Sequence, residues 1–523
     1  MKKIMFLMAL ISVISNAEIT VNSSQDTRNI SKRINSIDDM TVNGDGAYKN
    51  GGDPKDMDYT KFLNGYSVDG DGFVSIDDDV LMFENNHVIG LNGEYNSGIM
   101  VKNNGSAGNS GIINIYGKGG IGLFTGDGTG TLVNRQTGII NVSNSGIGIA
   151  SAGWPYNNFI GSIRNDGTIT IDGAGTGIRI SGAIDRDGGT AENNGKIELN
   201  GGGDSIGVYV GEYNTFINNG EISGTTIGTE KTTLISAVNQ GQIINSADGI
   251  LRGMNNAVGI EVSNAYNSNK SKVINDGYIL TENGDGIFVI GADVVNNGII
   301  SSGTVGIRST KYSGEVPASI VLNNGIIQVQ ENGTGIYGVA STVENNGIIE
   351  INGNNTTGIR IRGYLDEANA TLINNADITA DQNKQNVILL KAVGSGVTGE
   401  GNADLYNNAN LTAEGEDSVA IYSQNAANVH NRGNITVNNG TGIMLQNSSL
   451  NEGDNIGTIT VRGFGTGISA DSVNSNIVNN GTINLEGNGT GIYITSGNIG
   501  ENKNSINLNG AGGTGVHIYR AGT

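Results

Sequence analysis

The chain has 523 residues, among them 85 glycines, 3 prolines and no cysteine, and carries a formal net charge of −21 with 15% charged residues. Composition this even over such a length argues for one repetitive domain; the lack of a Gly-X-Y period excludes collagen, and the scarcity of charges excludes a charged disordered chain. The acidity opposes phosphate backbones and anionic headgroups, so nucleic acid is not an expected partner.

The N-terminus reads as an export signal. Met1, Lys2 and Lys3 form a basic start, residues 4–14 are apolar but too few to span a bilayer, and Ser15 and Ala17 place small residues at a cleavage site before Glu18. Residues 1–17 are therefore expected to be removed between Ala17 and Glu18. With no cysteine beyond the signal, lipoprotein anchoring is excluded.

Residues 18–83 repeat least and are expected to cap the structure that follows, since the end of a stacked sheet otherwise presents an open edge. Inside this stretch Asp69, Asp71, Gly72 and Asp78 follow Ser67 at the third, fifth, sixth and twelfth places of a calcium loop. The first place is not a carboxylate and the last is Asp where a bidentate Glu is usual. A tight turn rich in Asp and Gly accounts for the same residues, so no metal is assigned.

Residues 84–523 repeat one pattern, clearest in GTINLEGNGTGIYI at 481–494. Apolar and polar residues alternate through Thr482, Ile483, Asn484 and Leu485, as a strand with one buried face requires, and again through Ile492, Tyr493 and Ile494. Between them Gly487, Asn488, Gly489 and Gly491 are expected to reach positive φ, and Asn479, Asn480 and Gly481 mark a second corner. A third, short strand lies before that corner, as at Ile477 and Val478. Corner residues Ala409, Gly433, Gly457, Gly481 and Ser505 are spaced by 24, while earlier intervals run from 21 (Gly220 to Gly241) to 36 (Gly241 to Gly277).

A unit this short cannot bury its own apolar face, so copies must stack. The expected fold is all-β: a right-handed parallel β-helix (β-solenoid) of about 17 coils of about 24 residues with three short strands per coil, a rod of about 80 Å at about 4.8 Å per coil. Paired asparagines before the corners, such as Asn193 and Asn194, Asn296 and Asn297, Asn374 and Asn375, are expected to form ladders, because an amide both donates and accepts and tolerates left-handed backbone. Sequons such as the one at Asn434 follow the structural period and are not assigned to glycosylation.

The repeat NNG-x-I-x-I…GTGI-x-I over residues 84–523, together with the signal, resembles passenger domains of Gram-negative autotransporters (type V secretion), notably the Asn-, Ile- and Gly-rich passengers of fusobacterial type. The resemblance implies a β-helix carried across the outer membrane and displayed at the cell surface or secreted, acting as an adhesin or in host interaction. The expected partners are host-cell or bacterial surface glycans or proteins. The family's C-terminal translocator barrel is not found in residues 1–523, so contact with the outer membrane is expected only through a barrel supplied elsewhere.

Some β-helices cleave polysaccharides, which needs clustered Asp with a basic partner. The histidines are His87, His430 and His517, and no close Asp pair coincides with a base on adjacent coils. The chain is therefore expected not to be an enzyme and to need no cofactor; a carbohydrate-active enzyme and a passive spacer remain the alternatives. A stronger signal is the residue after the GI pair of the second strand: Met100, Phe124, Arg179, Tyr209, Phe288, Arg308, Tyr337, Arg360, Tyr422, Met444, Tyr493 and His517. On one external row these make a ribbon able to stack on sugar rings or anchor a protein partner, although β-propensity and stacking between coils select the same residues. Trp154 and Tyr156, with Phe159, lie in an insertion after Ile149 and form a second candidate contact.

Overall fold

The computed structural model describes residues 19–21, 40–42 and 83–519, apart from 87, 92–96, 102–105, 126–129, 152–160, 182–187, 202, 265–269, 312–315, 365–368, 396–400, 426, 471–474 and 496–498. The expected signal, most of the expected cap and the segment around Asp69 and Asp78 lie outside these residues. Among the described residues every regular element is a strand. They form parallel sheets that stack three strands to a turn, the β-solenoid that the repeat predicts. The chain divides into two compact units, Met1–Ala257 and Val258–Thr523.

One turn of the second unit shows why these residues adopt this path. Strand Ile320–Asn323 ends at a corner, Ile326–Val329 crosses to a second corner, and Thr334–Val339 closes the turn before Thr342–Asn345 begins the next. We call the sheets built from these three strand types the ladder, corner and outer-row sheets. In each strand alternate side chains face in, so Val321, Ile327 and Ile336 are all fully buried. The next turn repeats the register: Val321 beside Val343, Ile327 beside Ile349, Ile336 beside Ile359. Columns of like residues thus fill the interior, each isoleucine contributing roughly 2–3 kcal/mol of burial that no isolated turn could gain.

The first unit is built alike. Ile140, Ile169, Ile197 and Ile222 form its corner-sheet column, in register and fully buried. Two short strands of the expected cap extend this sheet by parallel pairing: Met40–Val42 pairs with Val88–Leu91, and Ile19–Val21 with Met40–Val42. Among the described residues the ladder and outer-row sheets each count 17 strands. Side chains in the outermost strands and in the bulged strand Ser449–Asn455 fall partly outside the described residues.

The corner between the ladder and corner sheets is held by asparagine. Asn275, Asn296, Asn323, Asn345, Asn374 and Asn407 are fully buried, and each donates from Nδ2 to Oδ1 of the next at 2.7–2.9 Å. The first unit has the same column, with Asn109, Asn134, Asn165, Asn193 and Asn218 linked at 2.7–2.9 Å. Backbone groups reinforce it: the N–H groups of Asn297 and Gly298 both donate to the carbonyl of Asn275, at 2.7 and 2.9 Å. Only the first asparagine of each pair is interior. The second forms an exposed ladder, as in Asn324 to Asn297 and Asn408 to Asn375.

Glycine and asparagine differ here from their expected parts. The corner glycines do not have positive φ, nor do Gly487, Asn488, Gly489 and Gly491. Left-handed residues sit instead at the corner before the outer-row sheet: Asn332 (φ 58), Asn355 (φ 53), Asn386 (φ 53), Asp417 (φ 55) and Asn439 (φ 55). Glycine is needed at Gly298, Gly325 and Gly347 for close approach, because a Cβ there would collide with the carbonyl oxygen of the corner residue one turn earlier.

Candidate interaction surface

The outer-row sheet positions the residues of interest. In Thr357–Arg362 the side chains of Ile359 and Ile361 point inward and are fully buried, so Arg360 between them faces out, with Arg362 two places on. Pairing carries that position along the second unit as Glu261, Phe288, Arg308, Tyr337, Arg360, Lys391, Tyr422, Met444, Ser469, Tyr493 and His517. In the first unit the same position runs Met100, Phe124, Ala150, Arg179, Tyr209 and Ser236. The expected residues therefore share one row within each unit. Sequence reasoning missed Lys391, because its strand Ile388–Val393 lacks the GI pair and follows a longer corner.

Phe124 is a correction. It occupies the expected register but is fully buried, as is Ala150 beside it. Strands Ile121–Thr125 and Gly146–Ser151 are buried at every position, so both faces of the sheet are covered there and Phe124 belongs to the interior. Arg179, Tyr209, Phe288, Arg308, Tyr337, Arg360, Tyr422 and Tyr493 are all half-buried. Trp154, Tyr156 and Phe159 lie outside the described residues.

Half-burial has a clear geometry. The guanidinium carbon of Arg308 lies 5.8 Å from the Tyr337 ring centre and that of Arg360 lies 4.9 Å from it, while Lys391 Nζ is 4.7 Å from the centre of Tyr422. Arg179 lies over Tyr209 at 5.1 Å, and Tyr493 meets His517 edge-on at 5.3 Å. These cation–π contacts run along the row, so the faces of Tyr337 and Tyr422 meet neighbouring side chains, leaving less ring surface for sugar stacking than the sequence suggested.

Charge is uneven along the row. Arg308 grips Asp285 through Nε (2.5 Å) and a terminal nitrogen (3.1 Å). Arg360, Arg362 and Lys391 make no ion pair with described residues, and the buried Nε of Arg360 has no hydrogen-bond partner. Burial, and then the nearby Arg360, hold the Lys391 ammonium below the usual lysine range. Burial pushes the Tyr209 phenol up, against the pull of Arg179.

A second cluster lies on the ladder sheet. His430 stacks on Tyr406, ring centres 4.4 Å apart, and its Nδ1 is 2.6 Å from Asp454 Oδ1. Asp454 reaches it because the register shifts within Ser449–Asn455. No group of His, Cys, Asp or Glu able to hold a metal occurs among the described residues.

Residues 356–523 match the family model for the BigA third pectate lyase-like domain, a likeness to a bacterial surface β-helix protein. The matched stretch includes Arg360, Lys391, Tyr422 and Tyr493. No curated protein and no solved structure gives a match.

Proposed function

We propose that this chain is the passenger of an autotransporter, displayed at the cell surface or secreted, and that it acts as a non-enzymatic adhesin through the outer row of its β-helix. The observation that carries the reading is the run Arg308, Tyr337, Arg360, Lys391, Tyr422, which sets cations and aromatics side by side on a chain with a formal charge of −21. Such residue types dominate contact energies where they are rigidly held, and here each is braced by its neighbours. The likeness of residues 356–523 to a bacterial surface β-helix supports the same location. Export follows the signal at Ala17 and Glu18, with the outer membrane reached through a translocator barrel.

The partners on this reading are glycans or proteins of host or bacterial surfaces. A chain with Tyr337→Ala, Tyr422→Ala and Tyr493→Ala together should keep its β-sheet circular dichroism and lose adhesion to cells. Adhesion that persists at the parent level rejects the outer row as the contact surface.

One observation favours a second reading, a carbohydrate-active enzyme: the imidazole of His430, held by Asp454 and Tyr406, has the arrangement of an oriented base. Release of reducing sugar from bacterial or host polysaccharide, abolished by His430→Ala, would replace the adhesin reading.

A further inference from the structure

We infer that the outer face around Arg360, Arg362 and Lys391 binds an acidic saccharide through its carboxylate or sulfate group. The inference rests on the outer row being a binding surface and names the class of ligand for it.

Arg360 and Lys391 stand directly opposite one another on neighbouring strands, a distance of about 4.8 Å between chains. Like charges so placed repel and weaken a sheet. Arg362 adds a third positive group two places along the strand from Arg360 and is exposed. The chain has 50 acidic against 29 basic residues, and Arg164, Arg252, Arg308 and Arg462 each meet a carboxylate. Among the described residues Arg360, Arg362 and Lys391 meet no carboxylate. An anion seated between them removes the repulsion and supplies the missing acceptors, in the two-oxygen geometry that a guanidinium prefers.

Polar groups beside the cations suit a sugar. The Tyr422 hydroxyl donates to Oε1 of Gln446 at 2.5 Å. Gln424 follows Arg362 and Val393 along the adjacent row, presenting an amide that can donate to and accept from ring hydroxyls. The three cations occupy only two neighbouring turns of a chain with 50 acidic residues. A long phosphate backbone leaving this patch would run against that charge, whereas one acidic sugar needs no more than the patch offers.

The test is a titration of the full chain at low salt with fluorescent trigalacturonate (carboxylate), a heparin tetrasaccharide (sulfate), neutral maltotriose and a short single-stranded DNA. One or both acidic saccharides should bind, and the neutral sugar and DNA should bind at least tenfold more weakly. Arg360→Gln with Lys391→Met should weaken acidic-sugar binding at least tenfold while the unfolding midpoint stays or rises. Arg362→Gln, at an exposed position, should weaken binding without touching the fold. No binding of either acidic saccharide, binding that the variants leave unchanged, or DNA binding of equal strength would each overturn the inference. Failure here combined with adhesion lost in the triple tyrosine variant rejects the ligand class alone. Acidic-sugar binding in a chain whose adhesion survives that variant upholds the site and rejects its role in adhesion.

Discussion

Asn374 shows why an amide holds the corner. Its Nδ2 donates to the carbonyl of Ala376 at 2.9 Å and to Asn407 Oδ1 at 2.9 Å, while its own Oδ1 accepts from Asn345 at 2.9 Å. Every polar atom of a side chain shut from water is thereby satisfied. Asn374→Ala strands a donor on Asn345 and acceptors on Asn407 and Ala376, so a loss of about 3 kcal/mol is expected in denaturant unfolding. Asn375→Ala breaks only exposed bonds, the ladder to Asn346 and Asn408 and a long contact to Glu344, and a loss below about 1 kcal/mol is expected. Equal losses would mean that the interior ladder has no special weight. The doublets were legible as ladders because they recur at the structural period; which partner is interior depends on the turn of the backbone, which a doublet does not encode. Lys391 makes a second case at this scale. Its folded pKa lies below 10.5, so the unfolded chain binds more protons between that lowered value and 10.5, and stability rises with pH through this window. Lys391→Met should therefore raise the unfolding midpoint at neutral pH and flatten the alkaline rise; a lower midpoint would show that the ammonium is stabilising where it stands.

Strands were the most legible elements, since two-residue alternation fixes which side chains face in once the register is set. Ile492 and Ile494, expected inside, are 2% and 8% exposed, with Tyr493 half-buried between them. Alternation failed at Phe124, where the sheet is covered on both sides, because a sequence reports the period of a strand and not what packs on its outer face. It also failed to locate Lys391, whose longer corner displaces the strand from the usual spacing. The glycine of each outer-row strand has a further role that its neighbours reveal. A Cβ on Gly335 would lie 2.5 Å from the carbonyl oxygen of Gly358 and 3.1 Å from Val329 Cγ2, so Gly335→Ala forces two strands apart at a cost of about 2 kcal/mol. Ile359→Ala opens a cavity in the same sheet, with an expected loss of roughly 2–5 kcal/mol, whereas Tyr337→Ala gives up contacts along the row and should lose about 1 kcal/mol. Unfolding curves that rank Tyr337→Ala above Ile359→Ala would contradict the facing read from burial.

Each turn takes its core contacts and its ladder bonds from the turns before and after, and that makes a whole turn interchangeable in a way that part of a turn is not. Residues 457–480 of the second unit form such a module: Asn455 and Asn479 are ladder neighbours 24 residues apart. Removing 457–480 joins Ile456 to Gly481 and leaves Asn455 facing Asn502, which already accepts from Asn479 in the ladder. Ile435, now beside Ile459, would meet Ile483, and Ile443, now beside Ile468, would meet Ile492. Isoleucine replaces isoleucine in both columns, so neither a void nor a clash results. The deletion variant should keep its β-sheet circular dichroism and lose no more than about one turn's share of stability, seen as a modest fall in the denaturation midpoint. Removing only 457–468 instead takes out the corner strand Ile459–Arg462 and most of the outer-row strand Thr466–Ala470 but leaves the ladder strand Asn476–Asn479, so too little chain remains between Asn455 and Asn479 to make a turn, and the sheet registers and the amide ladder are broken. That variant should lose the cooperative transition of the second unit. If both deletions behave alike, stability does not pass from turn to turn, and the repeat is not the unit of folding.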